Sequence, residues 1–293
     1  MAAEPVTTSP LRVAIAGAGR VAVAVASLLQ DRGHDVVSVW SRNPESTKRA
    51  ARRLSAHTAP SVAAVAAGAD LVLVGAVDDA IADVAADLAE GLERDTTVVH
   101  FAGVLAIDVL GAIPGPRAAL HPVQSVPDVD VGIRRLPGSA WGVTVSPGAE
   151  DWAHAFVRDE LRGIPVDVAP EDRALWHAAA VMTSNGIAAL MSTGSALLNA
   201  IGVTDPQSVL GPLAAGTVAN VGAMARPGDA FTGPVVRGDA KTVELHLAAL
   251  GSRAPELVDE YKLAAEGVVA GAARTGRVDA RAAQSMRDLL ESA

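Results

Sequence analysis

The chain has 293 residues, half of them hydrophobic and only 3% aromatic, with no cysteine and a net charge of −9. That length allows about two domains, and the lack of cysteine excludes disulfides, thiolate nucleophiles and cysteine-bound metals. The acidic excess runs through both halves, which argues against a nucleic-acid partner.

Met1–Pro10 lack the charged and apolar regions of a secretory leader. No apolar run reaches the length of about 18 residues that a membrane span needs, so the expected setting is the cytoplasm. Leu11–Ala16 reads as a short buried strand, followed at once by Gly17-Ala18-Gly19-Arg20-Val21-Ala22 and an apolar helical stretch to Leu29. A second strand, Asp35–Trp40, closes with Ser41-Arg42. In such a βαβ unit the glycines allow a tight turn, and backbone N–H groups at the helix start face a pyrophosphate. An acid after the second strand would suit the ribose of NAD. Ser41 and Arg42 instead offer donors and a positive charge, which suit the 2′-phosphate of NADP. Gly17, Ala18, Gly19, Arg20, Val21, Ser41 and Arg42 are therefore candidate contacts to NADP(H).

Val72–Val77 is a third strand signal, and Asp78-Asp79 precede a helix from about Ile81 to Glu90. Val77 and Asp78 lie at the strand's carboxyl edge, where they could touch the cofactor, although capping the helix is the expected role of the two acids. Thr96–Phe101 is a further strand, followed by Gly103 and a short helix, and Ala118–Leu120 and Trp141–Val145 complete the sheet. Strands alternating with helices predict an α/β fold with a doubly wound parallel sheet. His121-Pro122-Val123-Gln124 leaves that sheet on the ligand edge, where His121 is a plausible proton carrier.

After Pro170 the pattern is helical: Ala174–Leu198, then 206–224, 239–250, 255–273 and 278–291. This predicts a Rossmann domain over 1–165 and an all-α domain for substrate and dimerisation over 166–293. On the first long helix, at 100° per residue, Ser184 falls within about 20° of His177 and Asn185 within about 80°. Asn220 is another polar residue in an Ala/Gly/Val setting. Thr232–Asp239 is a loop entering a helix, with Arg237 able to grip a carboxylate and Asp239 able either to cap the helix or to hold Arg237. No spacing suggests a metal site, a nucleophile elbow or a P-loop lysine, which favours hydride transfer over hydrolysis.

Together these segments resemble the NADP-linked two-domain reductases of the clan that holds 6-phosphogluconate dehydrogenase, β-hydroxyacid dehydrogenases, pyrroline-5-carboxylate reductase and ketopantoate reductase. The most similar branch carries Gly-x-Gly-Arg-Val, His-Pro-x-Gln, His-Ala-Ala, Ser-Asn and Thr-Gly-Pro-x-x-Arg-Gly-Asp. Here these stand at Gly17 to Val21, His121 to Gln124, His177 to Ala179, Ser184-Asn185 and Thr232 to Asp239.

The resemblance implies NADPH-dependent reduction of a small 2-keto acid, with 2-dehydropantoate first among candidates. On that reading His177 is the general acid and Asn185 orients the ketone. Arg237 holds the carboxylate with Asp239 as its orienter, His121 is the reserve acid, and Gln124, Ser184 and Asn220 also line the substrate site. Two departures stand out: the clan's Lys-x-x-x-Asn helix has no lysine here, and His-Ser-Ser-Gly is replaced by His100-Phe101-Ala102-Gly103. Prephenate dehydrogenase-like and pyrroline-5-carboxylate reductase-like activities, and a non-catalytic NADPH sensor, are the alternatives. The Ala/Gly-rich helices suggest a homodimer.

Overall fold

The computed structural model describes residues 10–93 and 95–292, so the reading of Met1–Ser9 as free of a leader lies outside the described residues. The chain forms β1 (Arg12–Ala16), α1 (Arg20–Asp31), β2 (Asp35–Trp40), α2 (Pro44–Arg53), β3 (His57–Thr58), α3 (Val62–Val65), β4 (Leu71–Val74) and α4 (Ile81–Ala89). There follow β5 (Thr97–His100), β6 (Arg117–Pro122), α5 (Val129–Arg135), β7 (Ala140–Val145), α6 (Glu150–Ala155) and β8 (Ile164–Asp167). The strands make one sheet in the order β3-β2-β1-β4-β5-β6-β7-β8.

Central strands are apolar on both faces because helices cover both sides of the sheet. Along β1 the alternation is clean: Val13 and Ile15 join a core with Leu29, Val39, Trp141 and Phe156, while Ala14 and Ala16 join one with Val74, Ile81 and Leu88. Six of the seven strand pairings are parallel; β6 and β7 run antiparallel. The expected doubly wound α/β sheet is therefore present, but β7 and β8 run against the other six strands. The connection between β6 and β7 carries the seven-residue α5. Strands β3 and β8 were not anticipated. One has two exposed residues and the other is mostly exposed, so neither leaves an apolar period in the sequence.

The remaining helices are α7 (Arg173–Ala200), α8 (Pro206–Ala223), α9 (Pro234–Arg237), α10 (Ala240–Arg253), α11 (Val258–Arg274) and α12 (Ala280–Ser292). By contact the chain divides into two compact units, 1–182 and 183–293, with the division inside α7. The second unit has its own core, built by Val243 and Leu247 on α10, Ala265 and Val269 on α11, and Met286 and Leu290 on α12. Asp205 caps α8 by accepting from Ser208 N at 3.3 Å, with Pro206 at the first helical position. The one-turn α9, within the segment expected to be loop, is an addition to the sequence reading. Among the described residues no helix is long and apolar enough to cross a membrane.

Candidate active site

The turn after β1 is pressed backbone to backbone against the end of β4. Gly17 has φ +95°, and a Cβ there would stand 2.7 Å from Ala76 N. A Cβ on Gly19 would overlap the Gly75 carbonyl, and one on Gly75 would overlap Gly17 O and reach 2.5 Å from Ala22 Cβ. Gly19 is also the N-cap of α1, with no side-chain cap and no acid in the first turn. The first N–H groups of α1 are thus left for a ligand. Beside them lies a cavity of about 290 Å³ lined by Gly19, Arg20, Val21, Asp78, Phe101 and Ala102 among others. A cradle that any Cβ would fill, beside an uncapped helix start, fits a dinucleotide pyrophosphate. Gly75 was missed by the sequence reading. Its signal was a glycine interrupting the run from Val72 to Val77, which marks close backbone approach.

The flanking candidates divide. Ala18 packs against the core, while Arg20 lines the cavity and sends Nη1 to the Pro127 carbonyl at 2.8 Å. Ser41 is half-buried, with its carbonyl accepting from Thr47 Oγ1 at 3.0 Å. Arg42 is exposed and, among the described residues, makes no hydrogen bond or ion pair. The capping role expected of Asp78 and Asp79 is not found: a 3₁₀ turn over Asp78–Ala80 intervenes, and α4 starts with no side-chain cap. Those three residues displace both acids from the N-cap position, so Asp78 is free to line the cavity, next to the exposed Val77.

A second cluster forms where α7 begins. Arg173 is fully buried and has no acidic partner among the described residues. Its Nη1 donates to Ala119 O (3.3 Å) and Thr144 Oγ1 (3.0 Å), and Nη2 donates to Ala102 O (2.6 Å). These bonds tie α7 to β6, β7 and the loop after β5, while Nε is buried without a partner. Burial pushes its guanidinium down to about 10.

One turn on, Trp176 Nε1 donates to His121 Nδ1 at 3.1 Å. His177 meets His121 edge to face, with ring centroids 5.2 Å apart. His177 Nδ1 is buried without a hydrogen-bond partner. It lies so close over Gly103 that a Cβ there would overlap the ring. His121 is pushed down to about 4, first by burial, then by electrostatic interaction with His177 and Arg173.

The 100–103 loop is shaped by the hydrogen bonds of His100. His100 Nε2 donates to Ala106 O at 3.1 Å, and Nδ1 accepts from Ala102 N at 3.2 Å. The ring therefore shapes the loop, and Gly103 leaves room for His177. Sequence reasoning missed Arg173 and Trp176. The only hint was a tryptophan in a chain with few aromatic residues.

Gln124, expected on the substrate, is engaged elsewhere. Its Nε2 donates to Ser139 Oγ (3.3 Å) and Arg135 O (3.5 Å), and its Oε1 accepts from Ser125 N (2.9 Å). In the second unit Ser184 and Asn185 are exposed on α7, Asn220 on α8 and Arg237 at the end of α9. Asp239, assigned as the orienter of Arg237, instead caps α10. It accepts from Thr242 N at 3.2 Å and Thr242 Oγ1 at 2.7 Å, and these bonds, ahead of the charge on Arg237, hold its carboxyl below the usual range. A helix N-terminus next in sequence satisfies the carboxylate better than an exposed guanidinium.

These features define a dinucleotide-binding α/β unit followed by a helical unit. Residues 2–122 match the model of a Rossmann-like domain, and residues 139–268 match that of a domain of unknown function, DUF2520. The chain is similar to a Bacteroides fragilis protein assigned as an NADP oxidoreductase, with 25% identity over 88% of this chain and 98% of that one, and a TM-score of 0.75. It shares its fold with a Plasmodium falciparum pyrroline carboxylate reductase solved with NADP bound (13% identity, 95% of this chain and 98% of that one, TM-score 0.62). It also shares it with a reductive aminase from Aspergillus terreus in complex with NADPH and ethyl-5-oxohexanoate (18% identity, 97% and 93%, TM-score 0.57). No curated protein matches the chain.

Proposed function

We propose that this chain is an NADP(H)-linked oxidoreductase that reduces the carbonyl of a small 2-keto acid, 2-dehydropantoate being the first to test. One observation carries this reading: the glycine cradle and the histidine pair share a wall. Phe101 and Ala102 line the cavity at the start of α1, and the next residue, Gly103, lies under His177. The similar proteins, one solved with NADP and one with NADPH, support the cofactor and the reaction class.

When bound, NADPH supplies the hydride. The uncapped N–H groups of α1 hold the pyrophosphate, Asp78 is at hand for a ribose hydroxyl, and Ser41 and Arg42 suit the 2′-phosphate. As the carbonyl oxygen gains charge it needs a proton and a hydrogen-bond donor. His177 delivers the proton from Nε2, since its Nδ1 is sealed against Gly103. His121 is better suited to donate a hydrogen bond than to act as reserve acid, because near neutral pH it is uncharged. Arg237, with a guanidinium fork, and Asn185, with an amide, lie in the second unit.

The test is NADPH oxidation with 2-dehydropantoate, prephenate and pyrroline-5-carboxylate as separate substrates. Turnover of 2-dehydropantoate is expected, and His177→Ala should lower kcat by about 10²–10⁴ with NADPH affinity unchanged. Turnover of pyrroline-5-carboxylate alone would replace the keto acid with an imine. NADPH binding without turnover of any of the three would favour a sensor.

A further inference from the structure

His121 and Gly142 face each other across β6 and β7. Trp176 lies on that pair. A Cβ on Gly142 would stand 2.6 Å from the indole nitrogen, so a glycine on β7 is what lets the ring down beside His121. An indole nitrogen can only donate, so the Nδ1 that receives the 3.1 Å bond must present its lone pair. The neutral ring then carries its proton on Nε2, which makes no hydrogen bond among the described residues. Adding a proton at Nδ1 would set two N–H groups head to head. The charged or titratable groups acting on His121 are His177 and Arg173, both on α7, and a positive charge on either opposes an imidazolium. Its cross-strand neighbour on β7 is Gly142, which carries no charge.

We infer that Trp176 is a positioning residue that locks His121 as the uncharged Nε2–H tautomer, a fixed hydrogen-bond donor to the substrate's carbonyl oxygen, and so leaves proton delivery to His177. The inference rests on the reductase reading above. Two imidazoles this close would otherwise titrate as a coupled pair and share protons between them. Fixing one as a donor gives the site a single proton carrier and a dipole already aimed at the developing charge.

Trp176→Phe keeps an aromatic ring over Gly142 and deletes the N–H. Proton–nitrogen NMR of the histidine rings in the full-length protein reads the tautomer directly. The wild type should show His121 with its proton on Nε2 only, through and above neutral pH. In Trp176→Phe both tautomers should appear and His121 should titrate at higher pH. Its kcat should fall about five-fold, the worth of one ordinary hydrogen bond, with KM for NADPH unchanged. Nδ1–H, or a mixture, in the wild type would overturn the assignment, and that measurement needs no variant. An unchanged His121 spectrum in Trp176→Phe would overturn it too. If the wild type reduces none of the substrates the reductase reading fails, while the ring spectra still decide the role of Trp176.

Discussion

Two histidines sit inside the first unit without charge, and stability should follow them. Burial, ahead of every other influence, pushes His100 and His121 down to about 4. An unfolded histidine titrates near 6.5, so below that pH the unfolded chain binds protons that the folded one refuses. Their contribution is complete above about pH 6.5 and is lost as pH falls towards 4, by up to about 1.4 kcal/mol per pH unit for each ring. Urea denaturation between about pH 7 and pH 5 should show this decline, and a flat profile would contradict neutral burial. At this scale the sequence disclosed residues whose partners lie close in the chain. Gly17 and Gly19 were legible because strand, turn and helix are contiguous. Trp176 and Arg173 were not, since one depends on Gly142 and the other on carbonyls of Ala102 and Ala119. No local pattern announces such distant company.

Helix starts explain much of what the elements do. Helix α1 begins without a cap and α10 with a firm one. Replacing Asp239 with Ala should lower the thermal midpoint through the lost cap, while Asp239→Asn should keep most of the stability. A raised KM for the keto acid with an unchanged midpoint would instead return Asp239 to orienting Arg237. The long helices were legible from apolar runs bounded by Gly and Pro. The reversal at β7 was not, because these buried strands carry the same apolar run whichever way they point.

For the whole molecule, the question is what covers its second unit. No residue of α8 is buried, with Leu213 67% and Val218 53% exposed, and Leu190 on α7 is 58% exposed. The core of that unit draws on α10, α11 and α12 and takes nothing from α8. A helix apolar all round needs cover, and we propose that a second copy of the chain supplies it. Sedimentation velocity at micromolar concentration should show a homodimer, and Leu213→Glu with Val218→Glu should shift it to monomer. A wild-type monomer would rule this assembly out. The histidine cluster carries a different lesson, about where novelty can enter the molecule. Trp176 and His177 are seated by atoms that residues 142 and 103 do not have. A duplicated gene exploring new substrates could exchange polar groups around the pocket, yet a single methyl at either glycine would evict a ring. In searching genomes for proteins that share this site, those two absences make a stricter password than the histidines themselves.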